Sequence, residues 1–175
     1  MTKDLINLAI SNLVQLKKVL SHSTTLHYTS RLQILFESTI GMHVRHIIEF
    51  YQCLADNNST GIISYDDRIR NSQFENDLEF TISYLDILIE KISSIENNEN
   101  LILLNDNTFT GNKLEIKTNT NRELTYLIEH TIHHLAIIKM AYTSNFQEII
   151  FDDDFGVAFS TIKYKNSVHR KLSAS

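Results

Sequence analysis

The sequence contains no proline and only four glycines among its 175 residues. These two residue types are the strongest helix breakers, so long helices can form almost anywhere along the chain. The composition therefore favours an all-α protein, and the length suits a single domain spanning residues 1–175. A chain of this length can bury a core large enough to fold without disulfides or a structural metal.

Cysteine and clustered positive charge are also scarce. The one cysteine, Cys53, excludes an internal disulfide, and neither a signal peptide nor an apolar run of membrane-spanning length is apparent. We therefore expect a cytoplasmic protein that does not associate with membranes. The formal net charge is −5, with no Lys/Arg cluster beyond KK and HRK, which argues against a nucleic-acid partner. A small molecule or another protein is the expected partner.

Apolar residues recur at helical spacing in four segments of the chain. The predicted helices span residues 4–20, 30–55 and 72–95, with a fourth that starts near Asn121. Thr120 and Glu123 have the spacing of a capping box at the start of the fourth helix. Before it, LILLND and NKLEIKT alternate apolar and polar residues around NTFTGN, which predicts a hairpin. The pattern predicts an all-α four-helix bundle with a small β-hairpin before the last helix.

Five of the eight histidines fall in two of these helical segments, GMHVRHIIEFY and EHTIHHLAII. His130 and His134 are four residues apart, so their rings leave the same face of a helix one turn apart and can bind one ion. A third ligand would come from the second helix, where His46 is preferred over His43 because it shares a stripe with Phe50. The alternatives to a metal site are a buried hydrogen-bonded network and chance.

The remaining residues near these histidines have less direct roles. His43 and His133 are expected to orient a ligand or to flank the site. A zinc peptidase would carry a glutamate after the first histidine of the pair, but Thr131 stands there, so peptidase chemistry is disfavoured. Cys53 lies in an apolar segment and is interpreted as a packing residue.

The sequence resembles the DinB/YfiT-like proteins over most of its length. The resemblance rests on GMHVRHIIEFY, YDDRIR, RELTYLIEHTIHHLAII and DFGVAFSTIKY. It implies an up-down-down-up four-helix bundle with a long crossover at 56–72, and one divalent metal ion on His46, His130 and His134. Zinc and nickel are the first candidates, with iron or manganese as alternatives, because all of these occur among relatives.

The resemblance also implies a class of function. Relatives include thiol-dependent S-transferases, so the first hypothesis is a metal-dependent transferase or hydrolase acting on a small molecule, with a low-molecular-weight thiol as a candidate cosubstrate. Arg68 and Arg70 in YDDRIR would contact an anionic group at the mouth of the pocket, unless they belong to a surface ion-pair cluster. The second hypothesis is a non-catalytic metal-binding or stress-response module. A homodimer is expected.

Overall fold

The computed structural model describes residues 1–106 and 111–172. Within these residues the chain forms seven α-helices, three β-strands and a short 3-10 turn at Gln33–Leu35. The helices are α1 (Thr2–Leu20), α2 (Thr25–Thr29), α3 (Ile40–Asn57), α4 (Gln73–Asn76), α5 (Leu78–Ser93), α6 (Thr120–Asn145) and α7 (Phe159–Leu172). The strands are β1 (Ile62–Ile63), β2 (Asn100–Asn105) and β3 (Leu114–Asn119).

The four long helices α1, α3, α5 and α6 surround the hydrophobic core. Helices α1 and α3 each pack against both α5 and α6. Their apolar stripes meet at side chains that are withdrawn from solvent, including Leu13, Leu16, Ile48, Leu85 and Leu135. Burial of these stripes is the main source of helix stability, because isolated helices of this length are marginal in water. The contact of α3 with α6 brings together the two histidine-containing helices.

The prediction of an all-α four-helix bundle is wrong, because a three-stranded mixed sheet adjoins the long helices. Strands β2 and β3 pair antiparallel from Asn100↔Asn119 to Asn105↔Leu114, as the hairpin prediction required. Residues 107–110 of the predicted turn lie outside the described residues. The unforeseen strand is β1, which pairs parallel with β2 and covers its other edge. It comes from the segment that was expected to be a simple crossover.

Two helix predictions were too long because local capping overrides the apolar pattern. The segment 30–39 does not join α3; Leu32 and Ser38 form a β-bridge, and the Thr39 side chain caps α3 by accepting from Met42 N. The predicted helix over 72–95 is divided at Asp77, whose side chain caps α5. Periodic apolar residues on both sides of such a cap cannot reveal the break.

The start of α6 also differs from the predicted capping box. Its N-cap is Asn119, whose side chain accepts from Arg122 N at 3.0 Å. Thr120 is the first helical residue, one position before the predicted start. Glu123 does not reach back to the cap; its carboxylate is fully buried and accepts from the Tyr65 hydroxyl at 2.9 Å. The pattern therefore located the helix correctly but assigned the cap to the wrong residue.

Helix α7 follows α6, so the histidine-containing helix is not the last one. Among the residues that the structure describes, no helix has the length and apolar character needed to cross a membrane. One glycine is required for the packing around α3: a Cβ on Gly41 would lie 2.3 Å from the carbonyl oxygen of Glu75 in α4. This close approach holds α4 against the first turn of α3, beside the histidine cluster.

Candidate metal centre

Three histidines from α3 and α6 converge at the packed interface between these helices. They are His46 on α3, and His130 and His134 one turn apart on α6. One ring nitrogen from each lies within 4.8 Å of the other two. The Nε2 atoms of His46 and His130 are 2.8 Å apart, and the ring of His134 lies 4.7 Å from each of the other two rings. The three histidines are close enough to hold one metal ion.

The donor set fits a divalent transition metal. Three nitrogens on one tetrahedral ion, each at about 2.0–2.1 Å, would lie roughly 3.4 Å from one another. The 2.8 Å between the Nε2 atoms of His46 and His130 is shorter than that value, and all three nitrogens lie within 4.8 Å of one another, so ring movements on the order of an ångström would satisfy the ion. Imidazole suits zinc, copper, iron and nickel, whereas magnesium and calcium prefer oxygen ligands.

The environment keeps these rings neutral. Burial lowers the pKa of His46 to about 4, with the neighbouring His130 and Arg68 adding to the effect. Burial also lowers the pKa of His134 to about 3, followed by repulsion from His46 and His130. The pKa of His130 is lowered too, first by burial and then by His133. Neutral imidazole is the form that binds metal, so none of the three rings has to lose a positive charge before an ion binds at neutral pH.

Aromatic side chains enclose one side of the cluster. Phe50 stacks on His130 with ring centroids 5.0 Å apart, and Tyr126 stacks on the same histidine at 5.4 Å. Phe50 also stacks on Tyr65 at 4.8 Å with nearly parallel rings. These apolar faces restrict water on this side and explain part of the desolvation that lowers the histidine pKa values.

Arg68, in the segment between β1 and α4, lies beside His46 at the edge of the cluster. Its Nη2 lies 3.4 Å from Nδ1 of His46, and its Nε donates to the Glu49 carboxylate at 3.1 Å. The Glu49 side chain is only 1 % exposed and also accepts from the backbone N–H of Asn71 at 2.9 Å. Arg68 is therefore a partly buried, oriented cation paired with a buried carboxylate, and not a member of a surface ion-pair cluster. Arg70 is exposed and forms no hydrogen bond or ion pair with the described part of the chain.

The two flanking histidines occupy different environments. His43 is half-buried, and its Nδ1 lies 3.1 Å from Nδ1 of His134. His133 is exposed, and its ring lies edge-on to that of His134 with centroids 5.7 Å apart. A cavity of about 260 Å³ opens beside His43. Its lining comprises Ser38, Met42, His43, Arg45, His46 and His134. The cavity gives a small molecule access to the cluster.

Sequence reasoning missed the groups that fix Arg68. Glu49 interrupts the apolar run IIEFY one turn after His46, and a carboxylate at such a position signals a buried ion pair. Tyr126 precedes His130 by four residues in the same helix, so the spacing that pairs His130 with His134 also places Tyr126 beside the site. Tyr65 gave no such signal, because it lies outside the helical segments. Cys53 stays a packing residue: burial raises the pKa of its thiol, which donates to the carbonyl oxygen of Ser64.

Searches against protein-family models, curated proteins and solved structures found no match to this chain. The resemblance to the DinB/YfiT-like proteins stays a prediction. The class of site that the geometry defines is a three-histidine cluster, half-buried between two packed helices and reached through a small cavity.

Proposed function

We propose that the chain binds one divalent transition-metal ion through His46, His130 and His134. The observation that supports this most strongly is the convergence of three imidazoles from two helices with nitrogens within 4.8 Å. Zinc and nickel are the first candidates, and iron or manganese the alternatives. Membership of the DinB/YfiT-like family is part of the same proposal.

A hydrogen-bonded histidine network is the competing interpretation. The 2.8 Å contact between His46 and His130 suits a hydrogen bond in which one neutral ring donates and the other accepts. That pairing leaves Nε2 of His134 without a hydrogen-bond partner among the described residues, although its ring adjoins both others. A bound ion would engage all three rings at once, which favours the metal site.

We infer that the site serves a metal-dependent transferase or hydrolase acting on a small molecule. Three protein ligands leave a coordination position open, and a divalent ion there would lower the pKa of a water or thiol that reaches it. The cavity beside His43 admits such a molecule from solvent. The Phe50 ring, stacked on both His130 and Tyr65, limits water around the cluster.

Arg68 suggests that the small molecule carries an anionic group. The guanidinium lies beside His46 and over the Phe50 ring at 4.9 Å, so its position is fixed before a ligand arrives. A carboxylate or thiolate of a low-molecular-weight thiol cosubstrate would be attracted to this cation. Exposed Arg70, two residues later, adds positive charge without a fixed position.

Thiol-transfer and hydrolysis assays on metal-loaded protein test the catalytic part of this proposal. Turnover of a small electrophile or ester should require the metal and should collapse in His46→Ala while the fold persists by circular dichroism. The His22→Ala variant is the matched control, because His22 is exposed on the chain segment after α1 and, among the described residues, its side chain bonds to the carbonyl of Lys18 alone. Metal binding without any turnover would favour a non-catalytic binding module.

A further inference from the structure

Among the described residues, His43 is the one histidine that hydrogen-bonds to a candidate ligand without belonging to the three-histidine group. It lies on α3, three residues before His46, so both rings point towards α6. Its Nδ1 is 3.1 Å from Nδ1 of His134, and the two ring centroids are 5.3 Å apart. The contact is between side chains, and it joins α3 to α6 beside the cavity.

The hydrogen bond constrains which nitrogen of His134 can bind a metal. Each neutral imidazole has one N–H donor and one acceptor nitrogen, so a bond between two Nδ1 atoms requires exactly one of them to carry the proton. If His134 donates from Nδ1, its Nε2 lone pair is free to face an ion. If His43 donates instead, the proton of His134 is on Nε2 and blocks that nitrogen.

The surroundings favour His134 as the donor. With its proton on Nε2, His134 would carry an N–H beside the rings of His46 and His130, whose Nε2 atoms already pair with each other and offer it no acceptor. With its proton on Nδ1, His134 has an acceptor in His43, and the proton of His43 moves to Nε2, on the ring that lines the cavity. The second arrangement leaves no N–H of His134 without an acceptor.

A comparison with His46 shows that this contact is specific. The outer nitrogen of His46 faces Arg68, whose guanidinium has donors only and cannot accept an N–H. His133, although adjacent in sequence to His134, is exposed and touches it only with its ring. His43 can therefore accept an N–H from His134, whereas Arg68 cannot accept an N–H from His46 and His133 forms only a ring contact with His134.

We propose that His43 is a positioning residue for His134, accepting its Nδ1–H and so presenting its Nε2 to a divalent metal ion. The inference rests on the proposed metal site and identifies a residue that tunes it. Partners of this kind orient the ring and raise the basicity of the ligand, and their loss typically weakens metal binding by about 10–100-fold.

The test compares three variants by competition for zinc with a chromophoric chelator. His43→Phe removes the acceptor and should weaken zinc binding by about 10–100-fold. His43→Asn places Oδ1 at the same distance from the backbone as the histidine Nδ1, so it should keep affinity within about threefold of the parent chain. The control, His133→Phe, should leave affinity unchanged. Phenylalanine, asparagine and histidine have similar helix propensities, so α3 tolerates each substitution alike.

Equal affinity in His43→Phe and the parent chain would overturn the proposal, as would an equal loss in His43→Asn and His43→Phe. A second measurement separates this inference from the metal site itself. In metal-free protein, the ¹⁵N chemical shifts of His134 should report a proton on Nδ1; a proton on Nε2 contradicts the assigned role. If the parent chain binds neither zinc nor nickel, the metal proposal fails, while these shifts still decide whether His43 holds the His134 tautomer.

Discussion

Glu49 is the side chain whose replacement should most disturb the surroundings of the site. Its carboxylate is 1 % exposed and accepts from Arg68 Nε at 3.1 Å and from Asn71 N at 2.9 Å. Two unit charges at 3.1 Å attract by about 5 kcal/mol at an effective dielectric constant of 20, before desolvation is subtracted. Removing one partner of a buried pair typically costs about 3–5 kcal/mol, because the other charge is left uncompensated.

The Glu49→Gln variant should fall at the lower end of that range. The amide oxygen still accepts from Asn71 N. Arg45, whose Nε also lies 3.7 Å from the Glu49 carboxylate, keeps its ion pair with Glu75 at 2.5 Å. Arg68 alone loses its charge partner, so we expect a loss of about 3 kcal/mol in the free energy of unfolding. For a chain of this length that corresponds to a melting temperature lower by about 6–12 °C.

Urea denaturation at pH 7 measures this change directly. The midpoint should fall in Glu49→Gln with the slope m unchanged, as expected when only stability is altered. Glu90→Gln is the matched control, since Glu90 is an exposed residue of α5 and its replacement should change stability by less than about 0.5 kcal/mol. A loss below about 1 kcal/mol in Glu49→Gln would refute the argument that a buried ion pair fixes Arg68.

Two further predictions concern protons and anions at the site. Burial lowers the pKa values of His46 and His134 in the folded protein to about 4 and 3, from 6.5 for a free histidine. As the pH falls, these histidines therefore take up protons in the unfolded chain at a higher pH than in the folded protein. The metal-free protein should keep its full stability above about pH 6.5 and lose stability as the pH drops towards 4, measured by urea midpoints; a midpoint that rises on acidification contradicts the neutral rings. Replacing Arg68 with Met should raise KM for an anionic substrate and leave metal content unchanged; an unchanged KM with lost metal would reverse the assigned role.

The parts of the fold that the sequence predicted are those with a strong local pattern. Helix α1 follows the predicted 4–20 segment closely, because its apolar stripe is continuous and no side chain interrupts it with a cap. The β2–β3 pairing was predictable for the same reason, since two segments that alternate apolar and polar residues flank the turn-forming sequence NTFTGN. Strand β1 was not, because two residues have no period and their pairing with β2 depends on contacts across 40 residues.

The candidate site also combines features that a local sequence pattern predicts with features that depend on distant contacts. The four-residue spacing of His130 and His134 is a local feature, and helix α3 has an apolar face that must point inward with His46 beside it. The pairing of Glu49 with Arg68 depends on the loop after β1 folding back onto α3, which no local pattern encodes. The separate environments of His43 and His133 likewise follow from packing, because one lies against α6 and the other faces solvent.

The most direct measurement of the central claim is the metal content of protein purified without a histidine tag or added metal. Elemental analysis by mass spectrometry should find about one divalent transition-metal ion per chain, zinc or nickel first. His46→Ala, His130→Ala and His134→Ala should each lose the ion while keeping their helical circular dichroism, and His22→Ala should retain it. The absence of metal from the parent chain, together with no uptake of zinc or nickel on titration, would contradict the account.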